Sequence, residues 1–220
     1  MKHYATHGHK DFILCLGYKG EVIKDYFRNY HWNTSDVTLR LSANAEPTYH
    51  GSHDEKDWSV TMIDTGAKTL TGGRLKRVMQ YIKENEFLLT YGDGVSDVNI
   101  NDAVAFHRKK GATATLTAVR PAGRFGELGL NEGLVSSFFE KPNDGHAYIN
   151  GGFFVMNREI DQLLEDDECI LERSPLETLS RTGRLAAHTH NGFWQCMDTV
   201  REMEILNEQW AAGNAPWKTW

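Results

Sequence analysis

Short apolar runs alternate with segments of helical periodicity along most of the chain. Residues 11–18 form a continuous apolar run, and residues 21–30 then place apolar side chains at helical spacing. Further strands are predicted at residues 58–66, 86–94, 112–119, 134–142 and 148–156, and further helices at residues 72–83, 101–110 and 200–210. This order predicts an α/β fold with a mostly parallel sheet flanked by helices, elaborated in its second half by a small additional β element.

The composition is that of an ordinary globular protein, and it narrows the class of partner. The chain has 220 residues, of which 40% are hydrophobic and 25% are charged, and we expect one domain over residues 1–220. A net charge of -6 argues against binding to a nucleic acid backbone, because such binding requires a basic face. The stretch 44–57 is polar and is predicted to be an exposed loop.

Cysteine spacing and the lack of long apolar runs indicate a cytoplasmic protein without membrane association. Cys15, Cys169 and Cys196 are widely spaced and contain no CxxC pair, so neither a disulfide framework nor a zinc site is suggested. The polar N-terminus lacks a signal peptide, and no run approaches the roughly 18 apolar residues that cross a bilayer. Histidines without a convincing metal motif are assigned no role: His3, His7, His9, His188 and His190.

Asp93 stands just past the end of a predicted strand, between Gly92 and Gly94. Ligands of open parallel sheets bind outside the carboxyl ends of the strands, and flanking glycines let the backbone approach a nucleotide closely. Asp93 is therefore a candidate magnesium ligand. The same Asp-Gly pair is also common in a simple turn, and the motif alone does not separate the two interpretations.

A second carboxylate, Asp198, follows the apolar run GFWQCM and precedes a predicted helix. Paired with Asp93, it would complete a hard-oxygen donor set that suits Mg²⁺ at a phosphate. Taken alone, the Asp-Thr pair at 198–199 fits the N-cap of the helix at least as well. Sequence distance leaves open whether the two carboxylates meet in space.

Three short motifs carry groups that could bind a phosphate or a sugar. The glycines of TGGRLKR open a helix with Arg74 in its first turn, which suits an anion held by free backbone amides, although a plain helix start is at least as common. Glu140 and Lys141 follow a strand and could bind sugar hydroxyls and a phosphate, or form a solvated charge pair. Asn150 precedes two glycines inside an apolar strand, a pattern that marks a bulge or the close approach of a ligand.

In their order along the chain, these motifs resemble those of the sugar-1-phosphate nucleotidylyltransferases. The GDG and EKP motifs occur across that family, and the stretches TGGRLKR, NGGFF, FWQCMDT and APWKTW favour its cytidylyltransferase branch. The resemblance covers nearly the whole chain. It implies a Rossmann-like nucleotidyltransferase fold of the GT-A-like type.

The resemblance also implies a reaction and a set of residues. The reaction is nucleotidyl transfer from CTP to α-D-glucose 1-phosphate, which gives CDP-glucose and pyrophosphate for surface polysaccharide such as O-antigen. By this resemblance the magnesium ligands are Asp93 and Asp198, the CTP contacts are Thr69, Arg74 and Gly92, and the sugar-phosphate contacts are Glu140, Lys141, Asn150 and Gly151. Arg74 and Lys141 join the two aspartates as the expected catalytic groups.

One family segment is expected upstream of this sequence. Family members begin with a strand, a glycine-rich loop of the type GGxGTR and a KP segment, so roughly 35 residues, about a strand–loop–helix unit, are expected to precede residue 1. That loop cradles the triphosphate in the family. We therefore expect this chain alone to have weak or no transferase activity and to expose a sheet edge.

Two alternative functions stay open. The chain could be a non-catalytic homologue that holds a sugar phosphate or assembles with other subunits, in which case Asp93 and Asp198 would be dispensable. It could also be a nucleotidylyltransferase for UTP or dTTP, because the base contacts are expected in the upstream loop. The resemblance implies a homo-oligomer, in which Trp217 and Trp220 could anchor an interface or could instead pack in a core.

Overall fold

A computed structural model of the chain describes residues 1–42, 45–51, 53–121, 127–131, 134–139 and 147–220. Its helices are Lys2–Thr6 (α1), Gly20–Arg28 (α2), Tyr30–Thr34 (α3), Thr71–Val78 (α4), Ile100–Lys110 (α5), Ser174–Arg181 (α6) and Val200–Ala211 (α7), with 3₁₀ segments at Met79–Tyr81 and Arg158–Leu163. Its strands are Asp11–Leu16 (β1), Asp36–Thr38 (β2), Thr48–His50 (β3), Ser59–Asp64 (β4), Glu86–Thr90 (β5), Gly94–Ser96 (β6), Ala114–Val119 (β7), Glu127–Asn131 (β8), Leu134–Phe139 (β9), Ile149–Asn157 (β10), Leu185–His190 (β11) and Trp194–Cys196 (β12).

The chain divides into two compact units. Unit 1 contains residue 1 with residues 3–83 and 161–175, and unit 2 contains residue 2 with residues 84–160 and 176–220. Compactness alone does not decide whether a unit folds independently. The expectation of one domain therefore stays a prediction.

Unit 1 is built on the parallel pair β1–β4. Its register runs from Asp11 opposite Ser59 to Leu16 opposite Asp64. Leu16 is buried at the end of β1, and its carbonyl accepts hydrogen bonds from the amide and the hydroxyl of Thr65, each 2.8 Å long. A buried carbonyl needs such partners. The strands predicted at residues 11–18 and 58–66 are thus confirmed, each slightly shorter than expected.

A short antiparallel pair, β2–β3, also lies in unit 1. It joins Asp36 to His50 and Thr38 to Thr48. The prediction of an exposed loop over residues 44–57 is therefore wrong for Thr48–His50, although this strand is exposed throughout. Three residues are too few for an alternating pattern to stand out in the sequence.

Unit 2 contains a four-stranded sheet with the order β11-β7-β10-β5. Strands β7 and β11 are parallel, whereas β10 runs antiparallel to both β7 and β5. Phe154 and Met156 on β10 are buried, as are Thr115 and Thr117 on β7. Continuous apolar or β-branched runs are typical of strands covered on both faces. The predicted α/β class is confirmed, and β7 and β10 form the core of a mixed sheet.

The strand order explains why the expected parallel pattern does not extend to β10. Parallel neighbours require a long crossover, usually a helix, whereas an antiparallel pair does not. The described residues between β7 and β10 instead contain the antiparallel pair β8–β9, which is the predicted additional β element. Strand β8, Glu127–Asn131, is not among the strands that the sequence predicted.

Among the described helices the longest has 12 residues, and none is long and apolar enough to cross a membrane.

A buried histidine ties helix α5 to the sheet of unit 2. His107 Nδ1 lies 2.8 Å from Thr115 Oγ1, and its Nε2 lies 3.3 Å from Asn157 Oδ1. His107 is 2% exposed, so each ring nitrogen needs a protein partner. The helix begins at the Asn99 cap and ends at Gly111, whose φ of 61° suits glycine. These contacts fix α5 against β7 and the end of β10.

We expect His107→Ala to lower the free energy of unfolding by about 3 kcal/mol, because it leaves a cavity and two unpaired polar groups. Urea denaturation measures this change. Lys109→Ala on the exposed side of the same helix is the control, with an expected change within about 0.5 kcal/mol. Equal effects of the two substitutions would contradict the structural role assigned to His107.

Candidate functional site

The two candidate magnesium ligands are carried by paired segments of unit 2. Strand β12 pairs antiparallel with β6, with Cys196 opposite Gly94. The ladder extends by one further hydrogen bond, in which the Met197 amide donates to the Asp93 carbonyl at 2.8 Å. Asp93 therefore lies beside the residue that precedes Asp198. The structure brings together two backbone segments that are 105 residues apart in sequence (198 minus 93).

Asp198 lies next to a helix cap but does not form the cap. Thr199 is the N-cap of α7, and its hydroxyl accepts a hydrogen bond from the Glu202 amide at 3.2 Å. In return, Glu202 Oε2 accepts hydrogen bonds from the amides of Asp198 and Thr199, each 2.9 Å long. This is a capping box. The capping interpretation of the Asp-Thr pair therefore applies to Thr199, and the Asp198 carboxylate is not the cap.

Asp198 also belongs to the one cluster of potential metal ligands found among the described residues. Ligand atoms of Cys196, Asp198 and Glu202 lie within 4.8 Å of one another. The two carboxylates suit a hard cation such as Mg²⁺, whereas the thiol is a soft donor that Mg²⁺ does not favour. Of the two expected magnesium ligands, this cluster contains Asp198 and not Asp93, and Glu202 Oε2 is already used by the capping box. The Asp198 carboxylate suits Mg²⁺ by its chemistry, and the pairing with Asp93 stays a prediction.

The turn that leads into β12 is fixed by a histidine. His190 Nε2 lies 2.9 Å from Asp97 Oδ1 and 3.2 Å from the Phe193 carbonyl. On the same strand, burial lowers the pKa of His188 below its ordinary value and favours its neutral form. Sequence reasoning assigned neither histidine a role, because its position on a strand face does not show that Asp97, just after β6, is the partner of His190. His190 positions the segment that carries Asp198.

The glycines after Asn150 form a bulge in β10. The register with β7 shifts between Asn150 and Phe154, and Gly152 has a φ of 77° that favours glycine. Asn150 Oδ1 accepts a hydrogen bond from the Gly152 amide at 2.9 Å. A Cβ at Gly151 would come within 2.9 Å of Val119. The predicted bulge is confirmed, and Asn150 stabilises it.

Two aromatic side chains missed by sequence reasoning support this bulge. The Trp194 indole donates a hydrogen bond to the Gly151 carbonyl at 2.8 Å, and the Asn150 amide donates to the Tyr91 hydroxyl at 3.4 Å. Trp194 lies on β12, so it links the bulge to the strand that leads to Asp198. The only sequence clue was the nearness of Tyr91 to Asp93 and of Trp194 to Asp198.

The glycines at the start of α4 serve packing rather than anion binding. The amides of Gly72 and Gly73 donate to the Cys169 carbonyl at 2.9 and 3.2 Å. A Cβ at Gly73 would lie 2.6 Å from Asp167 Cα, and one at Gly72 would lie 2.5 Å from Cys169 Sγ. The interpretation that these amides are free for a phosphate is therefore wrong, because a loop of unit 1 already uses them.

Arg74 is hydrogen-bonded within unit 1. Its Nη1 donates to Thr65 Oγ1 at 2.7 Å and to the Leu16 carbonyl at 3.2 Å. A Cβ at Gly17 would come within 2.6 Å of the guanidinium, so glycine leaves room for it. A guanidinium carries five N–H groups, and those on Nε and Nη2 have no acceptor among the described residues. Arg74 can therefore bind an anion while it remains attached to the end of β1.

The expected site residues fall into three groups. Thr69, which is buried, and Arg74 lie in unit 1, whereas Gly92, Asp93, Asn150, Gly151 and Asp198 lie in unit 2. A Cβ at Gly92 would meet no atom within 4 Å, so its surroundings are open. Glu140 and Lys141 lie outside the described residues, and their expected roles stay predictions.

Comparison with known proteins places this arrangement in a family. The family model described as nucleotidyl transferase matches residues 42–195. The chain belongs to the nucleotidyl transferase family. The resemblance expected from the motifs is thereby confirmed.

Relatives within the nucleotidyl transferase family match the chain over its whole length. It is 51% identical to the glucose-1-phosphate cytidylyltransferase of Salmonella typhimurium over 221 residues, which cover 100% of this chain and 85% of the relative. It is 40% identical to the probable glucose-1-phosphate cytidylyltransferase of Bacillus subtilis, with the same coverage. The crystal structure of HddC from Yersinia pseudotuberculosis has a TM-score of 0.66 at 18% identity, over 96% of this chain and 83% of that chain, and shows the same fold.

The packing at the start of α4 makes a testable prediction about Gly73. Alanine is favoured over glycine in a helix by about 1 kcal/mol, whereas overpacking against a fixed backbone costs about 1–3 kcal/mol. We expect Gly73→Ala to lower the free energy of unfolding by up to about 2 kcal/mol in urea denaturation, the difference between the two effects. Gly92→Ala, which adds a methyl group in open space, is the control. A more stable Gly73→Ala chain would show that the contact with Asp167 is not close.

Proposed function

We propose that this chain transfers the cytidylyl group of CTP to α-D-glucose 1-phosphate and gives CDP-glucose and pyrophosphate. Two relatives that match the whole chain at 51% and 40% identity are named for this activity, one of them as probable. The observation that carries the proposal is the β6–β12 ladder, in which the Asp93 carbonyl is bonded to the residue before Asp198.

The proposed reaction needs no covalent intermediate with the protein. A phosphate oxygen of glucose 1-phosphate attacks the α-phosphorus of CTP in line. The bond from that phosphorus to the bridging oxygen breaks, and pyrophosphate leaves with the oxygen and its electron pair. Negative charge gathers on the leaving group, so protein groups that hold cations at the phosphates lower the barrier.

Asp93 and Asp198 are the proposed ligands of Mg²⁺. Two carboxylates suit this hard cation, and the capping box uses Thr199 and Glu202 rather than the Asp198 carboxylate. When bound, Mg²⁺ would neutralise charge on the triphosphate and on the leaving pyrophosphate. The protein contributes the fixed spacing of the two segments, because the Met197 amide is bonded to the Asp93 carbonyl.

The bulge of β10 is the proposed sugar side of the site. Asn150 and Gly151 are expected to face the glucose, and both are held from within unit 2. The Asn150 side chain accepts a hydrogen bond from the Gly152 amide, and the Gly151 carbonyl accepts one from the Trp194 indole. A preorganised backbone loses less entropy when a sugar binds. Trp194 is thus a positioning residue that joins the sugar side to the strand before Asp198.

Several finer points belong to the same proposal. Thr69, Arg74 and Gly92 are expected to contact CTP, and Lys141 is expected to hold the sugar phosphate. The reaction is proposed to take place in the cytoplasm. A homo-oligomer also remains a proposal, and Val22 and Tyr26 on α2 supply exposed apolar surface that an interface could cover.

Magnesium-dependent pyrophosphate release from CTP and glucose 1-phosphate tests the activity. We expect Asp93→Asn and Asp198→Asn each to lower the rate by at least about 100-fold, because charge on the phosphates is then poorly balanced. Glu204→Gln, on the exposed surface of α7, is a charge-matched control that should keep the rate.

The result with unsubstituted chain decides between the alternatives. Release by this chain alone is expected to be weak, and no detectable release from folded chain would favour the non-catalytic alternative over transfer by this chain. CDP-glucose binding measured by calorimetry would then identify a binding-only homologue. Faster release from UTP or dTTP than from CTP would overturn the base assignment and keep the reaction class.

Gly92 allows a prediction that separates ligand approach from folding. Its surroundings are open, so Gly92→Ala should change the free energy of unfolding by no more than about 0.5 kcal/mol. If the backbone there approaches CTP, the added methyl group should raise the KM for CTP by about tenfold, which is about 1.4 kcal/mol of binding. Steady-state kinetics measures this change. An unchanged KM would remove Gly92 from the nucleotide contacts.

A further inference from the structure

Two histidines in unit 1 face each other through ring nitrogens. His31 lies on α3, and His53 lies in the loop after β3. His31 Nδ1 and His53 Nε2 are 3.2 Å apart, with ring centroids 5.0 Å apart and ring planes inclined by 46°. Neither histidine belongs to the proposed nucleotidyl transfer site.

The spacing of these nitrogens matches that of two ligands on one metal ion. Two imidazoles bound to a tetrahedral Zn²⁺ at about 2.0–2.1 Å hold their nitrogens about 3.3 Å apart and their ring centres about 5 Å apart. A straight N–H···N hydrogen bond of the observed length would place the ring centres farther apart, at about 5.5 Å. The two rings are within hydrogen-bond distance in a bent rather than a straight arrangement, and their nitrogens have the spacing that a shared ion requires.

The other nitrogen of His53 has the surroundings of a metal ligand's second nitrogen. His53 Nδ1 is buried and makes no hydrogen bond, although Glu55 Oε2 lies 3.5 Å from it. Metal-bound histidines usually direct their second N–H at a carboxylate, which fixes the tautomer and raises ligand basicity. A proton on Nδ1 facing Glu55 leaves the lone pair of Nε2 directed at His31.

The carboxylate is held in turn by Tyr30. The Tyr30 hydroxyl bonds to Glu55, and burial together with this bond raises the pKa of Tyr30 to about 12. The Tyr30 ring also packs edge-on against His53, with centroids 5.2 Å apart, and Tyr49 packs against His31 at 5.9 Å. His50 is nearby in sequence, but its Nε2 is occupied by the Thr38 hydroxyl at 2.8 Å. In the described part of unit 1, His31 and His53 thus present opposed nitrogens.

We infer that His31 Nδ1 and His53 Nε2 bind a late first-row divalent metal ion such as Zn²⁺, with Glu55 as the outer partner of His53. Imidazole nitrogen suits Zn²⁺, Ni²⁺ and Cu²⁺, whereas Mg²⁺ prefers oxygen ligands. Water completes the coordination, since the described protein groups supply two ligands. The bound ion joins α3 to the loop after β3 and stabilises unit 1 by mass action.

Calorimetric titration of Zn²⁺ into the full chain, with excess Mg²⁺ present to occupy oxygen sites, tests the inference. His31→Gln and His53→Gln should each remove one zinc-binding event. Glu55→Gln should weaken that event by about 10- to 100-fold, because it removes the outer carboxylate. His50→Gln is the matched control and should bind as the unsubstituted chain does. Circular dichroism checks folding, and if one histidine variant is unfolded the other decides.

Electron paramagnetic resonance of bound Cu²⁺ supplies a second readout. The hyperfine structure should indicate two imidazole nitrogens in the unsubstituted chain and in His50→Gln, and one fewer in each of the two histidine variants. Zinc isotherms that coincide for all variants, or no zinc binding by the unsubstituted chain, would overturn the inference. An unchanged affinity in Glu55→Gln would overturn the role of Glu55. None of these results depends on transferase activity, so the metal site and the proposed function are tested independently.

Discussion

The hydrogen bond from the Met197 amide to the Asp93 carbonyl is the constraint on which the candidate site depends. It extends the β6–β12 ladder by one step and sets the two acid-bearing segments side by side. A backbone bond fixes the spacing of the two segments without using a side chain. Trp194 on the same ladder donates a hydrogen bond to the Gly151 carbonyl. It thereby links the ladder to the bulge that is proposed to face the sugar. One ladder therefore organises the segments of unit 2 that are proposed to hold the metal and the sugar.

Glycines that look alike in the sequence meet different physical needs in the structure. Position 73 has no room for a side chain, because the backbone of Asp167 lies against it. Position 152 favours glycine because it has a positive φ in the bulge. Gly92 has open space around it, which is what the close approach of a ligand requires. Only the last of these suits a binding role directly. A glycine-rich motif therefore becomes informative once its neighbours are known.

Hydrophobic periodicity predicted the elements better than it predicted their partners. The strands at residues 58–66 and 148–156 were found because each carries a sustained apolar run. Strand β3 was missed because it has only three residues. The direction of β10 and the contact of His190 with Asp97 were missed for another reason, since pairing is a tertiary property that a periodic pattern does not encode. The site residues of unit 2 came from motifs, and their supporting side chains did not.

The central claim is that the end of the β6–β12 ladder holds a divalent ion. Nuclear magnetic resonance of isotope-labelled chain during titration with Mn²⁺, a paramagnetic substitute for Mg²⁺, tests it most directly. The amide signals of Gly94 and Met197 should broaden at the lowest Mn²⁺ concentrations, and Asp198→Asn should abolish this broadening. Sharp Gly94 and Met197 signals, while amides elsewhere broaden first, would contradict the account.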